Sequence, residues 1–242
     1  MSRKRRILAI VSGKGGVAKT STALALAAEA HRRGHSTVLV DCDPIGAATD
    51  GCGIDVVSLT ASGRGLAVAL AGGRVDEQLV VGIEGFRVLG ATAALLRAEA
   101  TAQATLPDRL ASLEAEIVIV DTPPGFGGLV RGAIEFATSI VAVVTVEPMA
   151  TRSLDYLLEL LDTLDARKRL AGVVPTIVDA RRASLNEAQL KAIIARGLRL
   201  LPSIPRAIAV AAAPFAGSSV VAAAPRSTAA AAYSDLADAL KI

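Results

Sequence analysis

The stretch Ile7–Thr22, ILAIVSGKGGVAKTST, constrains this chain more than any other. Ile7–Val11 is an apolar run suited to a buried strand, and Ser12–Gly16 is a glycine-rich turn. From Lys19 the sequence changes to helix-forming Ala and Leu. Strand, glycine loop and helix in that order predict a phosphate-cradling loop. Gly13, Gly15 and Gly16 carry no Cβ, so the backbone can take unusual dihedrals and close its N–H groups on phosphate oxygens. The following helix adds the positive end of its dipole. Lys19 then reaches the β- and γ-phosphates and the Thr20 hydroxyl ligates Mg2+. The pattern G-x-x-x-x-G-K-[ST] is not strictly met, because Ala18 stands where the last glycine belongs, and Lys14 is also unusual in putting a second cation inside the loop.

Past the loop, strand and helix patterns alternate. Strands are expected at Ile7–Val11, Thr37–Val40, Phe86–Leu89, Ile117–Val120, Ile140–Val146 and Val173–Val178, with a short one at Ser203–Ile204. Helices are expected at Thr20–Arg33 (ended by Gly34), Leu66–Leu70, Arg74–Val80, Ala91–Ala104, Pro107–Leu113, Leu129–Ala137, Thr151–Leu164 and Thr228–Leu240. Ser184 with Glu187 predicts a capping box opening a helix that runs to about Leu200. Continuous Val/Ile strands between helices mean an α/β fold: a mostly parallel, twisted sheet with helices on both faces. No linker or repeat divides residues 1–242, so one domain is expected.

In such a sheet, ligands bind where strands end. Three strand ends carry acids: Asp41/Asp43, Asp121 and Glu147. An aspartate placed straight after buried β-branched residues belongs at the carboxyl edge rather than in the core. Asp121 suits a Walker B role, holding Mg2+ directly or through water. Asp43 suits orienting the water that attacks the γ-phosphate, and joins Thr20 and Asp121 in the set around the metal. The alternative for each acid is an ordinary helix N-cap following a strand.

With 242 residues the chain can build a real core. Its hydrophobic share of 52% is largely alanine, and no apolar run reaches the ~20 residues of a membrane span. The opening MSRKRR before ILAIV faintly suggests a signal peptide, but Lys14 and Lys19 interrupt it and no cleavage region follows, so a cytoplasmic protein is expected. Cys42 and Cys52 form no C-x-x-C pair and read as buried or incidental thiols, and His31 and His35 as surface residues at a helix end. Residues 166–242 carry 11 Lys+Arg against 4 Asp+Glu, while the remainder carries 15 against 19. A basic C-terminal third suits a polyanion-binding face, or equally a solvated surface with uneven charge.

At this point the motifs carry a resemblance. The loop Lys14-Gly15-Gly16-Val17-Ala18-Lys19-Thr20 resembles the deviant Walker A motif of the ParA/MinD family of P-loop NTPases, whose hallmark is the early lysine. Asp41-Cys42-Asp43-Pro44 resembles its switch I, and Asp121-Thr122-Pro123-Pro124-Gly125 its Walker B and switch II segment. Ile204-Pro205-Arg206 resembles the ParA stretch that lies near the adenine. The likeness runs from about residue 6 to near the C-terminus and is nearest to ParA-type partitioning ATPases.

That resemblance implies an ATP hydrolase that dimerises on ATP, with Lys14 crossing to the partner's phosphates. Residues Gly13, Lys14, Gly15, Gly16, Val17, Ala18, Lys19, Thr20, Ser21 and Pro205 would hold the nucleotide, and Lys14, Lys19 and Asp43 would carry the chemistry. It further implies ATP-dependent, non-specific DNA binding on the nucleoid, and a ParB-like partner that stimulates hydrolysis to segregate a plasmid or chromosome. Arg181, Arg182, Lys191, Arg196, Arg199 and Arg206 are the candidate phosphate contacts.

This sequence departs from the pattern at Ile45, where the family has glutamine, and at Ala209 and Ala212, where many ParA proteins have arginine and glutamate. It also begins almost at the loop, without the sequence-specific DNA-binding domain of larger plasmid ParA proteins, so autorepression through such a domain is not expected. A ParA-type positioner of a protein cargo fits the same residues. A MinD-like membrane ATPase needs a basic amphipathic C-terminal helix, whereas Ser234–Ile242 has two aspartates and a single lysine. An iron–sulfur carrier needs cysteine ligands that Cys42 and Cys52 do not match. A dethiobiotin-synthetase-like ligase would share the loop without needing Lys14 to act across a dimer.

Overall fold

Val, Ile and Leu dominate Arg6–Val11 (β1), Thr37–Asp41 (β2), Ile117–Asp121 (β5) and Ser139–Thr145 (β6), and nearly every residue in these runs is buried. Burial on both faces selects a parallel sheet covered by helices rather than a hairpin with one wet face. Val80–Val81 (β3), Arg87–Leu89 (β4) and Leu170–Thr176 (β7) complete the set. In the computed structural model, which describes residues 5–147 and 150–242, the seven strands join in the order β3-β4-β2-β5-β1-β6-β7. All pairings are parallel except β3 with β4.

The period of two sorts the core. Ile7, Ala9 and Val11 point to one face, where they meet Leu66, Leu106, Leu129, Ile134, Leu157 and Leu161. These come from helices α4 (Leu66–Leu70), α6 (Ala102–Arg109), α7 (Gly128–Phe136) and α8 (Ala150–Thr163). Leu8 and Ile10 point to the other face, against α1 (Lys19–Arg32), α10 (Ile208–Ala212), α11 (Val220–Ala223) and α12 (Thr228–Ala239). Short helices α2 (Ala47–Asp50), α3 (Val56–Ala61) and α5 (Val75–Gln78) follow β2, and α9 (Ala183–Ile194) follows β7.

Four local expectations are corrected. The segment Arg74–Val80 is helical only through Val75–Gln78, after which Val80–Val81 forms the antiparallel edge strand. Instead of helices at Ala91–Ala104 and Pro107–Leu113, a 3-10 turn covers Ala93–Arg97 and α6 carries Pro107 inside it. Proline normally breaks a helix interior; here the helix runs through it to Arg109, with Ala102 and Leu106 buried on the first core face. The capping box at Ser184 does not form, because α9 starts at Ala183 and ends at Ile194. Asp179 caps the preceding turn instead, and its carbonyl accepts from Asn186 Nδ2 at 2.8 Å. Ser203–Ile204 is not a ladder strand, but the chain there borders β7 through isolated bridges at Leu200 and Pro205. Pro148 and the first four residues of the basic N-terminus lie outside the described residues.

Candidate nucleotide site

Register places the acids. Asp41 pairs with Asp121 across β2 and β5, and Ile10 pairs with Asp121 across β1 and β5. The two carboxylates and the glycine loop after Val11 therefore share the carboxyl edge of the sheet. α1 begins at Lys19, so Gly13–Ala18 form the turn itself. Ala18 is the N-cap and takes the left-handed conformation, φ 61° and ψ 28°. The loop has kept glycine's backbone while giving up the glycine, at a cost of about 1 kcal/mol. Buried Thr176 steadies the turn, its hydroxyl lying 2.8 Å from the Val17 carbonyl.

The two loop lysines go opposite ways. Lys19 is buried, and its Nζ lies 3.0 Å from Asp121 Oδ1 and also donates to the Thr122 carbonyl. Thr20 Oγ1 donates to the other Asp121 oxygen at 2.7 Å. Lys19, Thr20 and Asp121 are thus brought together at the loop. Lys14 turns outward, with its side chain 46% exposed and its Nζ 2.9 Å from Glu147 Oε2. That hydrogen bond and charge hold the Glu147 carboxyl below its ordinary range, with Thr145 and Arg182 adding to the effect. Half-exposed pairs of this kind contribute about 0–1 kcal/mol, so Lys14 is cheaply released.

Asp43 is buried beside this cluster, its Oδ1 accepting from the Ile45 amide at 3.0 Å. Asp41 fixes the loop that carries it. Asp41 Oδ1 accepts from the Asp43 amide at 3.0 Å, and Oδ2 accepts from the Thr49 amide and hydroxyl at 2.9 and 2.8 Å. Burial first, then the neighbouring Asp121, raises the Asp41 carboxyl to about 7, against the pull of those donors. A carboxyl raised in the folded state binds its proton more tightly there than in the unfolded chain. Its contribution to stability is therefore full at acid pH and is lost as pH rises toward 7. Thermal unfolding of the ligand-free chain is expected to show stability falling as pH rises from 5 to 7 through this group. Asp41→Asn is expected to flatten that slope; an identical slope in the variant would refute the assignment.

Pro205 reaches the loop. With Gly16, Ala18, Ser21, Ile177 and Arg206 it lines a cavity of about 640 Å3, of a size for a nucleoside. Ile177 sits at the end of β7 with φ 55°, a strained value for a β-branched residue, on the wall of that cavity. Ser21 Oγ donates to the Val210 carbonyl, tying α1 to the opposite wall.

The six basic residues do not form one strip. Arg181 and Arg206 line the cavity and Arg182 lies close enough to lower Glu147, so these three share the carboxyl edge. Arg181 is held by Asp179 through two contacts at 2.9 and 2.7 Å. Lys191 pairs with Glu187 one turn away. Arg196 is bidentate on Asp155 of α8, and Arg199 lies beside the start of β7, donating to the Ala239 carbonyl.

Sequence reading missed the partners rather than the motifs. Glu147 was visible as a strand-end acid, but nothing in the sequence pairs it with Lys14. Thr49 carried no signal as the clamp of Asp41. Phe126 was visible only as the residue after Gly125 of the strand-end motif; that a Cβ at Gly13 would come within 2.4 Å of its ring is seen in the structure alone.

Cys42 and Cys52 are buried, and burial raises both thiols well above their ordinary range. Among the described residues no three His, Cys, Asp or Glu side chains converge on a metal position. No helix among them is long and apolar enough to cross a membrane.

A parallel sheet whose first strand passes through a glycine loop into a helix, with a buried lysine and a threonine on a strand-end aspartate, defines a P-loop nucleotide-binding fold. Within that class, residues 8–220 match the CobQ/CobB/MinD/ParA nucleotide binding domain, and the chain belongs to this family. It is 36% identical over 244 residues to the chromosome-partitioning ATPase Soj of Thermus thermophilus, covering 97% of this chain and 95% of the relative. It is 31% identical over 246 residues to the sporulation initiation inhibitor protein Soj of Bacillus subtilis, covering 96% of each. Among solved structures, cobyrinic acid a,c-diamide synthase from Mycobacterium smegmatis with bound ATP analog and magnesium superposes with a TM-score of 0.85 at 29% identity, covering 98% of this chain and 94% of that one.

Proposed function

We propose that this chain is a ParA-type ATPase that binds ATP with Mg2+ at the glycine loop, dimerises on ATP, and in that state grips DNA without regard to sequence. The observation that carries this reading is the division of labour between the lysines, one buried on Asp121 and the other exposed on the outer side of the same loop. A small-molecule ligase would share the loop without needing the outer cation to act across a dimer. A nucleotide shared between two subunits needs it.

The donor set suits magnesium: Thr20 Oγ1 and an Asp121 oxygen are hard ligands 2.7 Å apart, and this ion keeps several waters and needs few carboxylates. Bound there, magnesium would neutralise charge on the β- and γ-phosphates. Lys19 would bind the same phosphates from within its own subunit. Lys14 would leave Glu147 and place its cation on the partner's phosphates, where charge develops during transfer. Asp43 would orient the attacking water, held in place by the clamp on Asp41. Pro205 would flank the base.

The ParA reading is favoured over a MinD-like membrane switch by α12. Tyr233, Leu236, Leu240 and Ile242 are buried, and Asp238 pairs with Arg33 at 2.6 Å, so the C-terminal segment is committed to the body of the protein. The protein would work in the cytoplasm on the nucleoid, with a ParB-like or other adaptor stimulating hydrolysis and choosing the cargo. That cargo would be a plasmid, a chromosome or a protein assembly. A gel shift on random duplex with ATP, ADP or no nucleotide tests this, with a shift expected only with ATP. With Arg181, Arg182 and Arg206 from each of two subunits, affinity is expected to fall on the order of 1000-fold between 50 and 200 mM salt. Equal binding in all three nucleotide states would defeat the switch. ATP-dependent binding to anionic liposomes without DNA binding would favour the membrane reading.

A further inference from the structure

The segment that follows Asp121 meets the glycine loop through contacts that no sequence motif marks. The N-cap of α7 is Gly127, which has no side chain to offer the first amides of the helix. Glu99, from the turn before α6, supplies the missing acceptor: its Oε1 takes the Gly128 amide at 2.6 Å and its Oε2 lies 3.4 Å from the Leu129 amide. The approach is possible only because α7 presents bare backbone. A Cβ at Gly127 would lie 1.9 Å from Glu99 Oε1, and one at Gly128 1.9 Å from the Glu99 carbonyl oxygen. One turn further, a Cβ at Gly132 would lie 2.4 Å from the Ala102 carbonyl. Gly128 and Gly132 on one face of α7, with Gly127 at its N-cap, thus seat the helix directly on residues 99–102.

The same turn reaches the phosphate-binding side. The Gly125 amide donates to the Ser12 carbonyl at 3.2 Å, and the Phe126 ring packs over Gly13, next to Lys14. Arg131 Nε donates to the Phe126 carbonyl at 3.1 Å, so the position of the ring follows the first turn of α7. A continuous path therefore runs from the Glu99 carboxylate through the start of α7 and Phe126 to the outer half of the glycine loop.

We propose that Glu99 is a positioning residue for ATP hydrolysis, holding the first turn of α7 so that Phe126 sets the height of Gly13 and Lys14. The proposal rests on the ATPase reading above. Glu99 is not among the residues proposed to hold nucleotide or metal, and its effect belongs to the alignment of the reacting groups rather than to the affinity for ATP. Misplacement by about an ångström costs up to about 100-fold in rate.

The test is steady-state phosphate release by the full chain, with kcat and KM for ATP measured separately and folding followed by circular dichroism. Glu99→Ala is expected to lower kcat about tenfold while KM stays within about twofold. Glu99→Gln is expected to keep at least half of the wild-type kcat, because its amide oxygen still accepts from Gly128. Phe126→Leu leaves the cap on α7 intact but withdraws the ring from Gly13, and is expected to lower kcat in the same way; it decides the matter if Glu99→Ala does not fold. A melting temperature that falls in Glu99→Ala with kcat unchanged would make Glu99 a stability cap only and overturn the proposal, as would an unchanged kcat in Phe126→Leu. A wild-type chain that hydrolyses no ATP overturns the ATPase reading itself, a different outcome from a working enzyme indifferent to Glu99.

Discussion

Lys19→Ala is expected to lose both nucleotide binding and a large part of the fold's stability. Lys19 is 6% exposed and Asp121 is fully buried, so removing the ammonium leaves a carboxylate without its cation inside the protein. Breaking a buried pair from one side costs about 3–5 kcal/mol, which for a chain of this size lowers the melting temperature by about 10 °C. Loss of the charge-assisted contacts to phosphate is expected to weaken ATP binding by about 100-fold or more. The two effects separate in the double variant Lys19→Ala/Asp121→Asn. There the stranded charge is gone, so calorimetry should show most of the stability restored while titration with ATP still shows no tight binding. A single variant as stable as the wild type would mean that Asp121 is not the partner that the geometry indicates.

Lys14→Ala is expected to do the reverse. Its partner Glu147 is half exposed and keeps its hydration when the lysine is removed, so melting should move by no more than about 1 °C. ATP binding to the single subunit should stay within about twofold. ATP-dependent dimerisation, read by light scattering, should disappear, because the cation that would span two subunits is missing. Unchanged dimers in this variant would remove the basis of the proposed switch. Two lysines five residues apart thus have opposite signatures, one in stability and nucleotide binding, the other in assembly and the hydrolysis that depends on it.

Much of the fold could be read along the chain, since its signals are local. Four-residue runs such as TVLV and IVIV can satisfy their backbones and bury both faces only as inner parallel strands, and Thr37–Asp41 and Ile117–Asp121 are those strands. The glycine loop was equally plain, and the family match confirms the class. Local reading erred where packing outweighed propensity. Pro107 lies inside α6 because Ala102 and Leu106 must reach the core, and Ser184 caps nothing because α9 starts one residue earlier. The antiparallel Val80–Val81 was hidden because two residues are too few to show a period.

The sequence by itself determined the strands, the loop, and which residue types stand at the strand ends, because each depends on neighbours within a few positions. Tertiary structure alone decided which way each lysine faces, that Asp41 is clamped by Thr49, and that Glu99 is carried onto the helix after Asp121. It also scattered the basic residues of the C-terminal third over several surfaces rather than one. The lysine and Glu99 contacts join atoms tens of residues apart in the chain, and the Thr49 clamp closes a loop of eight. They exist only once strand order and register have brought the segments together, and no local propensity encodes them.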